Sequence, residues 1–391
     1  MDFELTEGQR VIKAEVRKLA NRFPLQYWRE KDWKHEYPFE FVKEVASAGW
    51  FGTAIPTEYG GAGLGLLEGS IVLEELTAGG AGFDGSNACH AVYFNSHSLV
   101  KHGTDVQKEK YLPKIATGEL RFQSLAVTEP NAGFDTSKIT TRAVKKGDLY
   151  VINGQKAFIS RLSETDLMLL AARTTPIDSV QKRTKGISLF LVDMRESGKA
   201  IEARRLHMMT RHSVDTNMLF ISDLKVPVEN LLGEEDNGFY HLLDTLNPER
   251  IYLSAECIGL GRLAIQRAVE YAKQRIVFDR PIGKNQGIAF PLAEAYSEIE
   301  VADLMRYKAA TMYDNGQQCG PEANMAKLRA SEAASKACDR AVQTLGGYGL
   351  ANDFDIERYY RDIRLMRIAP VSTEMVLNYL SEHVLGLPRS Y

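Results

Sequence analysis

Cysteine is scarce in this chain of 391 residues. The four present, Cys89, Cys257, Cys319 and Cys338, lie far apart and form no CxxC pair. That spacing indicates neither a disulfide framework nor a cysteine-built zinc site, and it fits a reducing cytoplasm. No apolar run approaches the length of a membrane span, so membrane insertion is not expected. Charge of one sign is also lacking: 48 Lys and Arg stand against 51 Asp and Glu, a formal net charge of -3. Such a balance offers no electrostatic footprint for nucleic acid or an anionic membrane. Internal repeats and low-complexity segments are absent. The opening MDFELTEGQRVIKAEVRKLA is broken by Glu4, Glu7, Arg10 and Lys13, so it does not read as a secretory leader. It reads as a helix capped by Thr6, with Val11, Ile12, Val16 and Leu19 at helical spacing. His90, His97 and His102 do not suggest a metal site, because the last two are five apart and share no helix face.

What is present is ordinary globular material, 44% hydrophobic and 25% charged, long enough for a large core and two or three domains. Residues 1–121 read as helical: LLEGSIVLEELTA and SHSLVKHGTDVQKEKYLPKIATG carry apolar residues three and four apart. The glycine-rich EYGGAGLG (58–65) resembles a phosphate-binding loop only weakly, since the stretch before it contains Pro56 and is no clear strand. Residues 122–235 are β-rich: FQSLAVTEP, LYVINGQKAFIS, LMLLAART, ISLFLVD and NMLFISDLKVP are short and punctuated by Pro, Asn-Gly and Asp. Asn153-Gly154 predicts a hairpin turn. Residues 236–391 return to helix, with three long Ala-rich amphipathic stretches that predict an antiparallel bundle. Gly346-Gly347 ends the third.

Four motifs in order resemble the acyl-CoA dehydrogenase family over essentially the whole chain. SLAVTEPNAGFDTSKITTRAV resembles the family's VTEPxAGSD loop, and LYVINGQKAFIS its INGxKxWIT hairpin. RIVFDRPIGKNQ resembles RxxFGxxIxxxQ, and QTLGGYG resembles QxxGGxG. The resemblance implies an α+β, mainly α fold: an N-terminal helical domain, a barrel-like or sandwich β middle domain and a C-terminal four-helix bundle. It implies FAD, a homotetramer with flavin sites shared between subunits, and an electron-transfer flavoprotein as acceptor. The implied reaction is α,β-dehydrogenation of an acyl-CoA thioester in fatty or branched-chain acid catabolism. The same fold also hosts enoyl-CoA reductases, flavin monooxygenases and non-catalytic CoA-binding relatives.

By the same resemblance, Leu125, Val127, Thr128 and Gly133 follow the flavin, with N–H groups and a hydroxyl at its pyrimidine edge. Phe134 stands where relatives often have a cofactor- or CoA-contacting serine. Phe158, Ile159 and Ser160 match the aromatic cover and the hydroxyl at flavin N5. Arg275, Phe278, Gln286, Gln343, Gly346 and Gly347 match residues holding pyrophosphate and adenosine, in part across a subunit interface. Ser372 and Glu374 match further cofactor contacts. Read locally, these segments are equally a β-turn, a half-buried strand, a helix-end arginine and a helix stop.

The catalytic base requires separate argument. Many relatives carry it in a loop that matches RIAPVSTEM, where it falls on Pro370 and the preceding residue on Ala369. Proline can neither take a proton nor donate a backbone N–H. A minority, including enzymes for isovaleryl-CoA and long-chain acyl-CoA, place the glutamate on a helix early in the last domain. The matching stretch TLNPERIYLSA puts Glu249 there, with Arg250 and Asn247 as substrate contacts. Locally, Asn247-Pro248-Glu249 reads either as a helix start or as a kink in a longer helix beginning near Asp236. Either the Val371 N–H, after a small loop shift, or the flavin's ribityl hydroxyl alone is the expected donor to the thioester oxygen. Small residues at Ala369, Gly85, Ser86 and Ala88 suggest a roomy acyl pocket, or close helix packing.

Overall fold

A computed structural model describes residues 4–389. Six helices come first: α1 (Glu7–Ala20), α2 (Leu25–Lys34), α3 (Phe39–Ser47), α4 (Leu66–Leu76), α5 (Phe83–His102) and α6 (Asp105–Ala116). Thr6 caps α1 as the sequence indicates: its Oγ1 accepts from Gln9 N at 3.2 Å, and Thr6 N donates back to Gln9 Oε1 at 3.0 Å. A short 3-10 turn, Thr57–Tyr59, precedes the glycine-rich loop, so no strand leads into it. Helix α5 is buried from Phe83 to Leu99 almost all round. Its polar side chains therefore need partners inside the protein.

Eight strands follow: β1 (Ser124–Ala126), β2 (Arg142–Lys146), β3 (Leu149–Ser160), β4 (Leu167–Arg173), β5 (Ile187–Asp193), β6 (Ile201–Arg205), β7 (Thr216–Pro227) and β8 (Leu231–Leu232). They form one sheet in the order β6-β7-β3-β2-β4-β5-β8, with β1 parallel to β4. The end strands β6 and β8 do not pair, so the expected barrel-like closure is not found among the described residues. Asn153-Gly154 does not form the expected hairpin either. β3 runs straight through it, and the turn falls two residues before β3, at Gly147-Asp148, between paired Lys146 and Leu149. The reason is tertiary. Asn153 exchanges hydrogen bonds with Asp223 on β7, and a register shift spans Ile152 to Gly154. A Cβ at Gly154 would lie 2.4 Å from Thr141 Oγ1, so glycine serves a close approach here rather than a turn.

The chain then forms α7 (Gly238–Gln274), α8 (Gln286–Asp314) and α9 (Gly320–Leu345), followed by the short α10 (Ile356–Ile363) and α11 (Thr373–Tyr379). The three long helices bury a common Ala- and Leu-rich core to which α10 adds Ile356, Tyr359 and Ile363. Gly346, at φ 60, stops α9. Helix α7 passes through Pro248 without ending, so Asn247-Pro248-Glu249 is not a helix start. Glu249 thus lies well inside α7, away from its N-terminal dipole. Glu74 of α4 accepts from Arg262 of α7 at 2.5 Å and from Arg306 of α8 at 2.7 Å, tying the first helices to the last.

Candidate active site

A cavity of about 1260 Å³ opens where the sheet meets α5, α7 and the segment after α10. Helix α7 presents one stripe to it: Phe239, Leu242, Leu246, Glu249 and Leu253 recur at intervals of three and four. The end of β1 and its following loop contribute Leu125, Val127, Thr128, Gly133 and Phe134. The end of β3 contributes Phe158, Ile159 and Ser160, and the segment after α10 contributes Ala369, Pro370 and Val371. Segments more than two hundred residues apart in sequence therefore converge, and Glu249 faces the same space as Pro370.

The β3 contribution depends on a bulge. The register against β7 shifts between Lys156 and Ile159, and Phe158 adopts φ 59 with its side chain 61% exposed. A bulky residue in the left-handed region is strained, and such strain concentrates at functional sites. Arg161 (φ 59) and Arg211 (φ 54), both on the cavity wall, share this conformation. Beneath the bulge, the fully buried Lys156 Nζ donates to Val127 O and Glu129 Oε1, each at 2.9 Å. Glu129 also accepts from Thr140 N, Thr140 Oγ1 and Thr141 N. Burial lowers the Lys156 ammonium to about 8, against the pull of Glu129. This pair fixes the loop after β1, a role the sequence motif contained but did not reveal.

Glu249 is 7% exposed, and its carboxyl accepts no hydrogen bond from any described residue. Desolvation raises it to about 7, opposed by the charges of Arg250, Arg161 and Lys327 and assisted by Glu256. Asn247 does not line the cavity; its Oδ1 accepts from Arg250 Nη1 at 2.9 Å and so orients Arg250, which does.

Pro370 has no N–H, and the neighbouring Val371 N–H donates to no described residue. The Val371 carbonyl is held by Lys327 Nζ of α9 at 2.6 Å. Lys327 is 2% exposed, and burial lowers it to about 8. It pins a segment that lines the cavity together with Glu249, and nothing in the sequence pairs residues 327 and 371. Ser372 caps α11, accepting from Met375 N at 3.3 Å, and Glu374 is exposed; neither lines the cavity.

Six expected cofactor contacts lie elsewhere. Arg275 closes α7, Gln286 opens α8, and Gln343, Gly346 and Gly347 sit at the end of α9. Antiparallel packing brings these ends together, and Tyr271 meets Tyr348 there at 6.2 Å between ring centres. Phe278 is 93% exposed in the connecting turn. At 1.5 Å per residue, Arg275 lies about 39 Å along α7 from Glu249.

The α5 face of the cavity also differs from expectation. Gly85 packs against Ala81, Trp28 and Phe41, so its smallness serves helix packing. Asn87, His90 and Phe94 line the cavity instead. His90 Nδ1 lies 2.9 Å from Glu256 Oε2, and Asn87 Nδ2 donates to Glu256 Oε1 at 3.0 Å. His97 contacts Tyr313, and His102 lies 3.2 Å from Asp244. No group of three or more metal-ligating side chains occurs among the described residues.

The FAD implied by the sequence fits this cavity on three observations. The volume exceeds that of an ordinary small-ligand pocket. The N–H groups of Thr128, Gly133 and Phe134 donate to no described residue, and the Thr128 hydroxyl has no partner there. The bulge turns an aromatic ring and the Ser160 hydroxyl toward the same space.

Comparison with known proteins agrees with the fold. The profile of the acyl-CoA dehydrogenase N-terminal domain matches residues 6–119, that of the middle domain 124–224 and that of the C-terminal domain 236–385. The chain is 40% identical to the acyl-CoA dehydrogenase FadE12 of Mycobacterium tuberculosis over 99% of this chain and 98% of that one. It is 35% identical to the caffeyl-CoA reductase-Etf complex subunit CarC of Acetobacterium woodii, over 90% of this chain and 93% of that one. A solved structure of PigA with FAD and proline superposes at a TM-score of 0.92, with 25% identity over 99% of this chain and 100% of that chain. No helix among the described residues is long and apolar enough to cross a membrane.

Proposed function

The chain belongs to the acyl-CoA dehydrogenase family, and we propose that it binds FAD in this cavity and desaturates an acyl-CoA thioester between its α- and β-carbons. The observation that carries the proposal is Glu249, a buried carboxyl raised to about 7 that lines the same cavity as Pro370. Its carboxylate takes the α-proton, and its position on α7 is the placement of the isovaleryl-CoA and long-chain enzymes. A base with a pKa near the working pH combines a useful ionised fraction with proton affinity. Bound FAD supplies the acceptor for the β-hydrogen and its electron pair. The Val371 N–H donates to the thioester oxygen in place of Pro370, held in position by Lys327. Such a donor lowers the barrier by about 2.7–4 kcal/mol. Thr128, Gly133, Phe134 and Ser160 hold the ring system, while Phe158 covers it and excludes water. Arg275, Gln286 and Gln343 serve the adenosine end of a partner subunit's cofactor in a homotetramer, given their distance from Glu249. An electron-transfer flavoprotein reoxidises the enzyme.

Glu249 supports a second reading. With a pKa of about 7, its protonated form is also populated and can deliver a proton to the α-carbon of an enoyl thioester. CarC, named a caffeyl-CoA reductase, is a relative of that kind. The test is anaerobic mixing of the yellow holoenzyme with a panel of acyl-CoAs. Saturated thioesters bleach the flavin of the wild type and fail to bleach Glu249→Gln. No bleaching by any thioester, or full bleaching of the variant, overturns the proposal.

A further inference from the structure

Five arginines are almost fully buried, and three of them find carboxylates or a full set of carbonyl acceptors within the protein. Arg306 pairs with Glu74 and Asp303. Arg358 pairs with Asp84 and Asp355. Arg173 donates to the carbonyls of Ile139, Lys185, Ser137 and Arg183. The other two, Arg161 and Arg211, lie on the wall of the cavity and find only two neutral acceptors each. Arg161 donates from Nε to Gln123 O at 3.0 Å and from Nη1 to Asn87 O at 3.2 Å, while its Nη2 has no acceptor among the described residues. Arg211 donates from Nη1 to Asn87 Oδ1 at 3.1 Å and from Nη2 to Ser160 Oγ at 3.3 Å, both neutral acceptors. Neither guanidinium has a carboxylate within 4.0 Å among the described residues. Glu256 faces both, but its two oxygens are engaged by Asn87 and His90.

A buried guanidinium cannot shed its proton, so it carries a desolvation cost that a carboxylate partner offsets. The fold provides that partner for Arg306 and Arg358 and withholds it from the two arginines that face the cavity. Asn87 binds both, which fixes them side by side at one wall. Arg161 and Glu249 line the same cavity, and Arg161 directly follows Ser160, so the wall and the base face one space. Resting on the acyl-CoA dehydrogenase reading, we propose that Arg161 and Arg211 receive an anionic group at the far end of a short acyl chain. The substrate class is then the CoA monothioester of a short dicarboxylic acid. Arginine suits this task because its planar fork matches a carboxylate.

The test compares two saturated thioesters of equal chain length, one ending in methyl and one in carboxylate, as ligands of the holoenzyme. Binding is read anaerobically from the perturbed flavin spectrum and by calorimetry, so affinity is obtained with or without turnover. The carboxylate-ended thioester should bind about ten- to a hundredfold more tightly, the worth of a charge-assisted hydrogen bond. Arg161→Met should erase most of that preference and Arg161→Lys should keep part of it. The wild-type ratio alone decides the matter if a variant does not fold. Equal affinities, or a preference for the methyl end, overturn the inference and leave the dehydrogenase reading standing. Failure of both thioesters to bind overturns both.

Discussion

Replacing Glu249 by glutamine should make the protein more stable at alkaline pH, although it removes the proposed base. The carboxyl is 7% exposed and is raised from 4.5 to about 7, chiefly by desolvation. Between these values the native state holds a proton that the unfolded chain has released, so stability falls as pH rises through this window. Below 4.5 both states are protonated and nothing is lost; above about 7 the full cost is present. At 1.36 kcal/mol per pH unit, that cost is about 3 kcal/mol. The amide of Glu249→Gln carries no charge to desolvate. Its advantage should therefore be near zero at pH 4.5 and reach about 3 kcal/mol at pH 8, or about 4 °C in Tm for a chain of this size. The assay is thermal unfolding of the wild-type and variant holoenzymes, without thioester, across this range. Parallel pH profiles, or a variant less stable at pH 8, would refute the argument that Glu249 is buried without a compensating partner.

Three further outcomes follow from the geometry. The rate of α-proton removal should fall about tenfold per pH unit below about 7 and level off above it, because only ionised Glu249 accepts a proton; stopped-flow bleaching measures this. Lys156→Met leaves Glu129 buried without its cation and should cost about 3–5 kcal/mol in chemical denaturation, with weaker FAD retention, since the pair holds the loop after β1. Gly154→Ala forces a Cβ to within 2.4 Å of Thr141 Oγ1 and should cost about 1–3 kcal/mol by the same assay.

The alternation of helical and β-rich segments was legible because most elements follow a local period. The three long C-terminal helices carry Ala-rich faces, and the Thr6 cap is a local signal. The motifs also pointed to Thr128, Phe158 and Glu249, which converge on one cavity. Helix α5 was not legible in the same way. It is buried nearly all round, so no amphipathic stripe marks which face meets a ligand, and the small residues drew attention away from Asn87 and His90. Arg211 could not be placed because its partners Asn87 and Asp362 lie more than a hundred residues away on either side. Arg161 directly follows the Phe-Ile-Ser motif, but only the fold shows that it is buried on the cavity wall. Asn153-Gly154 misled because a turn dipeptide also suits a bulge, and contact with Asp223 and Thr141 decided between them.

Hydrogen exchange at the α-carbon tests the central claim most directly. The holoenzyme is incubated in deuterated buffer with a 3-thia acyl-CoA, which presents an acidic α-hydrogen but no oxidisable β-carbon, and the thioester is analysed by mass spectrometry. Wild-type enzyme should introduce deuterium at the α-carbon, and Glu249→Gln should introduce none above the rate of buffer alone. Undiminished exchange by the variant would contradict Glu249 as the base.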